Sequence, residues 1–328
     1  MGQRRRRSVE RVKITVLSGG VGGARFLRGL RDAISPADQV TAVVNVGDDM
    51  WLTGLRIAPD LDSIMYTLAG ENDEQRGWGR VGETERVSAE LRAYGVGWPW
   101  FTLGDLDIGT HLTRTHLLGE GLPLSEVTTR ITSRWNLGVR LIPATDDEVE
   151  THVIVDGGGS MHFQEWWTRH RASIAAQRFE SVGVAASTPA PGVLEAIAAA
   201  DVIIVAPSNP VVSIGPILAI PGIRDALAEA PGVVVGVSPI ISGSVVRGMA
   251  DACLTAIGVA TAADAVALHY GARSRGGVLD AWLIDESDGA SAPAIEAAGI
   301  RAHVVPLWMH DAESSAALGR DALAAAIG

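Results

Sequence analysis

The sequence predicts a Rossmann-like α/β fold: a doubly wound, mainly parallel sheet that carries an inserted helical and β-hairpin region. A β-branched run, residues 13–18, breaks into four glycines and resumes as a helical pattern. Fully apolar strands recur at 201–206 and 232–237, the kind a parallel sheet buries on both faces. Strand and helix patterns alternate along most of the chain, which calls for right-handed crossovers and one shared sheet.

After Gly19-Gly-Val-Gly-Gly23, the positions Phe26, Leu27 and Leu30 share one helix face. A second strand runs through Val43 and Val44 into Asn45-Val-Gly-Asp-Asp49. Ile64, Met65 and Leu68 give the helix from Leu61 an apolar side. Helices are expected over 83–94, closed by Gly95, over 105–118, closed by Gly119, and over 124–135, with Ser125 near its start. Residues 139–142, 151–155 and 161–167 read as strands, the last two joined by a glycine turn at 156–159. The parallel rhythm then resumes at 201–206 and 232–237, continues at 278–284 and 303–306, and ends in an Ala-rich helix. These elements predict a disordered basic tail at 1–11 and a single catalytic domain at 12–328, with the insertion at about 70–190.

Composition narrows the function classes. A hydrophobic content of 47% with 20% charged residues suits an enzyme with a substantial core. The formal charge of -11 argues against nucleic acid as the main partner, and no apolar run is long enough to span a bilayer. Cys253 is the only cysteine, so an internal disulfide and a cysteine zinc cluster are both excluded, and a cytoplasmic location is expected. Lys13, the only lysine, precedes the first strand, which excludes a Walker A loop and a Schiff-base lysine. The glycine spacing also fails the dinucleotide fingerprint in either register, because Arg25 or Ala24 occupies the sixth position.

What remains is an anion site. A strand, glycine turn and helix start present backbone N–H groups at the positive end of a helix dipole. The second strand delivers Asp48 and Asp49, and Asp60 and Asp62 follow shortly after. Hard carboxylate oxygens beside a phosphate cradle suit Mg2+, which neutralises a diphosphate under attack, and one Asp beside an attacking hydroxyl suits a general base. Asp60 and Asp62 also stand where they would cap the helix from Leu61, and Asp105 and Asp107 where they would cap the next. His111 and His116 read as packing or surface residues, and the Trp166–Trp167 pair as packing. All the suggestive loops follow strands, so they converge beyond the strand ends of such a sheet.

The segments Leu17-Ser-Gly-Gly-Val-Gly-Gly-Ala-Arg25, Asn45-Val-Gly-Asp-Asp49, Pro59-Asp-Leu-Asp62, Leu103-Gly-Asp105, His162-Phe-Gln-Glu-Trp166, Ala206-Pro-Ser-Asn-Pro210 and Ser238-Pro-Ile-Ile241 resemble the CofD family of coenzyme F420 biosynthesis. The Arg247-Gly-Met-Ala-Asp251 form is similar to its actinobacterial branch. The resemblance implies a transferase that moves a phospholactyl or phosphoenolpyruvyl group from a guanosine diphosphate-linked donor to the ribityl hydroxyl of the deazaflavin Fo. GMP would leave, giving F420-0 or dehydro-F420-0, with Mg2+ as cofactor and a homodimer as the assembly. On this resemblance Gly19, Gly20, Gly22, Gly23 and Arg25 hold the donor phosphates, and Asn45, Ser208, Asn209, Ser238 and Arg247 complete the donor and nucleotide site. Asp48, Asp49, Asp60 and Asp62 take the metal; Asp49 and Asp62 are catalytic; Asp62, Thr102 and Asp105 meet Fo. Leu106 departs from the arginine that the family often has there. A related branch implies the alternative, a non-enzymatic regulator that binds nucleotide sugars.

Overall fold

A computed structural model describes residues 11–36 and 38–327; apart from Arg11, the basic tail expected at 1–11 lies outside the described residues. Seven parallel strands form the central sheet: β1 (Lys13–Ser18), β2 (Gln39–Val44), β3 (Arg140–Pro143), β4 (Val202–Val205), β5 (Val233–Val237), β6 (Ala281–Ile284) and β7 (Arg301–Val304). Across the sheet they run 3-2-1-4-5-6-7. β1 therefore has β2 on one side, pairing Ile14 with Val40, and β4 on the other, pairing Ile14 with Val202. The chain reverses its direction of travel between β1 and β4, and the crevice beyond that point is where doubly wound sheets bind ligands.

The pleat divides the core into two layers. Val16 and Ile204 face a layer that contains Phe26, Leu27 and Leu30 of α1 (Gly20–Ala33). Leu17, Ile203 and Val205 face the opposite layer, built around Trp282 and Ile217. α1 lies against the C-terminal helix Ala312–Ile327 at backbone contact: a Cβ on Gly29 would strike the Ser315 carbonyl, and one on Gly319 would come within 2.8 Å of Leu30 Cα. No single helix among the described residues is long and apolar enough to cross a membrane.

Three expectations change. Residues 139–142 were grouped with the hairpin region, but Arg140–Pro143 completes the edge of the main sheet beside β2. The insertion at about 70–190 is consequently two separate excursions: a helical one between β2 and β3, and a three-stranded antiparallel sheet, with Glu150–Val155 in its middle, between β3 and β4. The strand expected over 161–167 stops at His162, and Glu165–Arg169 coils into a short wide helical turn. That turn buries Trp166 against Phe163 and Phe179 and lets its indole N–H reach the Ile174 carbonyl at 2.7 Å. The helix expected over 83–94, α3 (Arg86–Ala93), begins only at Arg86, because the Glu83 carboxylate turns back to accept the Asp107 N–H at 3.2 Å.

Candidate active site

α1 begins at Gly20, with Gly19 as its N-cap and no side chain capping it. Three glycines of the turn have a steric reason to lack a side chain, and the fourth, Gly20, stands at a φ of 63°. A Cβ on Gly19 would lie 2.5 Å from Asp60 Oδ2, and one on Gly22 would lie 2.6 Å from the Pro207 carbonyl. One on Gly23 would collide with Ser18 Oγ and approach Ser208 Oγ to 2.7 Å. Ser208 locks the loop after β4 to this turn: its hydroxyl accepts the Gly19 N–H at 3.1 Å and donates to the Gly19 carbonyl at 2.7 Å. The loops after β1 and β4, at the switch point, thus form one rigid unit.

The carboxylates close over the same place. Asp60 and Asp62 occupy the first turn of α2 (Pro59–Ala69), yet neither caps it. Asp60 instead meets the glycine turn, accepting the Gly20 N–H and, at 2.9 Å, the Asn45 amide. Asn45 is itself fixed, since its Oδ1 accepts the Gly47 N–H at 2.9 Å and its amide donates to the Val212 carbonyl at 3.2 Å. Asp48 accepts one hydrogen bond, from Gln164 at 3.0 Å, and its other oxygen has no partner. Asp49 is fully buried; Arg56 stands 3.5 Å away, but neither Asp49 oxygen makes a hydrogen bond.

Burial penalises charge here, and protons compensate. It pushes Asp60 up to about 6. It pushes Asp49 up to about 8, against the pull of the Arg56 and Arg114 charges. Asp48 is raised well above the ordinary carboxylate range by burial, then by the charges of Asp60 and Asp49. Unpartnered buried oxygens on crowded acids are the kind of donor a hard divalent cation takes.

Asp62 has a different environment. Its Oδ1 accepts a short bond from Arg114 on α4 (Asp105–Gly119), and its Oδ2, with no hydrogen bond, lies 3.5 Å from His111 Nδ1. His111 Nε2 is 3.3 Å from Asp107 Oδ1, which also accepts the Tyr66 hydroxyl at 2.7 Å. Burial raises Asp62 even against Arg114 and His111; it would raise Asp107 too, but His111, Tyr66 and Arg114 outweigh it and hold that acid low. Asp62, Asp107 and His111 lie close enough together to share an ion.

Reading by sequence alone missed Asp107, His111, Arg114, Arg56 and Gln164. The signal was present on α4, where 107, 111 and 114 follow helical spacing and share one buried face. Asp105 does not join them: its carboxylate accepts the Thr84 N–H and hydroxyl, both at 2.8 Å, and pins the start of α4. Asn209 and Ser238 also spend their side chains on loop shape, Asn209 on Val211 N–H at 2.9 Å and Ser238 on the Ile240 carbonyl at 2.9 Å. Arg25 and Arg247 share a narrow cleft beside α1. Thr102 lines an apolar pocket of about 260 Å³ with Leu52, Leu55, Trp98, Phe101 and Ile108.

The family model of 2-phospho-L-lactate transferase CofD matches residues 14–327. A phosphoenolpyruvate transferase of Streptomyces griseus is 55% identical over 95% of this chain and 98% of its own. One of Kitasatospora aureofaciens is 54% identical over 96% of this chain and 98% of its own. Protein BH3568 of Bacillus halodurans shares the fold, with a TM-score of 0.63 at 18% identity, over 96% of this chain and 100% of that one. Transferases related over nearly the whole length displace the regulator alternative. From β1 to the final helix, then, the chain belongs to the CofD family, and it is a transferase.

Proposed function

We propose that the protein transfers a phosphoenolpyruvyl group from a guanosine diphosphate-linked donor to the terminal ribityl hydroxyl of Fo in coenzyme F420 biosynthesis. The observation that carries this reading is the set of unpartnered buried carboxylates, Asp48 and Asp49, within charge range of Asp60, which itself abuts the glycine turn at the switch point. The names of the relatives favour the enolpyruvyl donor over the lactyl one.

The start of α1 and Arg25 would orient the donor diphosphate, with Arg247 on the far wall of the cleft. Asp48, Asp49 and Asp60 would hold Mg2+, which supplies charge neutralisation for the phosphates. Asp62 is suited to be the general base, because Arg114 fixes one of its oxygens and leaves the other free to accept a proton. The ribityl oxygen then forms a bond to the phosphorus that bears the enolpyruvyl group, its proton passing to Asp62. The bond from that phosphorus to the GMP phosphate oxygen breaks, GMP departs, and dehydro-F420-0 remains. The apolar pocket beside Thr102 is the proposed seat of the deazaflavin ring. The working assembly is proposed to be a cytoplasmic homodimer.

Incubating the purified protein with Fo, Mg2+ and either the enolpyruvyl or the lactyl donor tests the reading. A charged deazaflavin product with stoichiometric GMP is expected, faster with the enolpyruvyl donor. Folded protein that yields no product from either donor overturns it.

A further inference from the structure

The cleft that holds Arg25 and Arg247 has an aromatic wall with no role in the chemistry above. Trp78 lines it, in the segment 71–81 that follows α2, and is 42% exposed. That segment is held by its own hydrogen bonds. Asp73 Oδ1 accepts the N–H groups of Gln75 and Arg76, both at 3.0 Å. Gly77 N–H donates to the Asp73 carbonyl at 2.8 Å, and Val81 N–H to the Glu71 carbonyl at 2.8 Å. Gly77 and Gly79 flank the indole at φ of 80° and 73°, a backbone that other residues rarely adopt. Gly77 also has no room for a Cβ, because the Arg247 guanidinium packs directly on it.

One face of the indole is already used. Arg76 Cζ sits 3.8 Å from the ring centroid, and Glu85 at 2.9 Å and Glu83 at 3.4 Å hold Arg76 there. A Trp fixed on one side by a tethered cation is a preorganised platform for a planar ring on the other. Beside it, Arg25 and Arg247 make no ion pair among the described residues. Burial and the Arg247 charge both lower the pKa of Arg25, and Glu74, which also lines the cleft, partly offsets them.

We propose that Trp78 is the stacking platform for the purine ring of the nucleotide-linked donor, whose phosphates lie toward Arg25 and Arg247. The inference rests on the donor named in the proposed function and adds a specificity residue to it. A ring and an anion held in one narrow cleft describe a nucleotide; the tricycle of the acceptor has its own apolar seat, which shares no lining residue with the cleft.

Calorimetric titration of the parent protein, Trp78→Leu and Trp78→Phe with GDP, pyrophosphate and Fo, in the presence of Mg2+, tests it. Trp78→Leu should weaken GDP binding roughly 5- to 150-fold and leave pyrophosphate and Fo near the parent, and Trp78→Phe should restore most of the loss. Circular dichroism checks that both variants are folded, and GDP should quench the tryptophan emission of the parent more than that of Trp78→Phe. Unchanged GDP affinity in Trp78→Leu, equal losses for GDP and pyrophosphate, a loss confined to Fo, or equal quenching each overturns the stacking role. A parent that binds no GDP removes the donor reading, and this inference with it.

Discussion

Magnesium affinity should rise with pH, because the acids that would hold the ion carry protons in its absence. The ordinary Asp value is 3.8, and burial places Asp60 at about 6 and Asp49 at about 8. At pH 7, then, Asp60 is mostly ionised while Asp49 is mostly protonated. A cation needs the ionised forms, and each proton it displaces steepens affinity about tenfold per pH unit. With Asp49 titrating across the window and Asp48 also raised, affinity should climb roughly 10- to 100-fold between pH 6 and 8. The metal-free fold follows the opposite sign. Acids raised on folding contribute their stability below the unfolded value and lose it as pH rises through the folded one. For Asp60, a rise from 3.8 to about 6 corresponds to about 3 kcal/mol lost by pH 8. Titration calorimetry at pH 6, 7 and 8, in buffers of different ionisation enthalpy, reads both affinity and proton release. Thermal unfolding with and without Mg2+ reads the stability side. Flat affinity with no proton release would refute the assignment of the ion to these carboxylates.

Other perturbations separate chemistry from architecture. Asp62→Asn should lower kcat by about 10²- to 10⁴-fold with the circular dichroism spectrum unchanged, as loss of a general base requires. Arg114→Met leaves the buried Asp62 without its cation and should cost about 3–5 kcal/mol, measured by denaturant unfolding. Gly23→Ala drives a methyl group against Ser18 and Ser208 and should destabilise by roughly 1–3 kcal/mol while raising the KM for donor. Asp105→Ala should leave the KM for Fo near the parent, since both oxygens of that carboxylate serve Thr84; a large rise would restore Asp105 to the acceptor site.

The α/β class and its parallel sheet were legible because they rest on local pattern: β-branched runs, glycine turns and one-sided helices. The positions of Asp48 and Asp60, in the loop after a strand and at a helix start, were legible for the same reason. Their division of labour was not. It depends on partners more than 50 residues away, such as Arg114 on Asp62 at a separation of 52 and Gln164 on Asp48 at 116. Asp107 and His111 looked like a cap and a packing residue because only the burial of that face of α4 gives their spacing chemical meaning. Conversely, Ser208 looked like a ligand for the nucleotide, but its hydroxyl is committed to the Gly19 backbone. The edge strand β3 was misplaced because four residues carry too little periodicity to say which sheet they join.

The central claim is that the glycine turn and the early carboxylates form a single diphosphate–metal site. Crystals grown with GDP and Mn2+, with anomalous scattering recorded at the manganese edge, address it most directly. The expected map shows phosphate oxygens on the amides at the start of α1 and one ion shared between a phosphate and Asp48 or Asp49. An ion lodged instead among Asp62, Asp107 and His111, with the nucleotide bound away from α1, would contradict it.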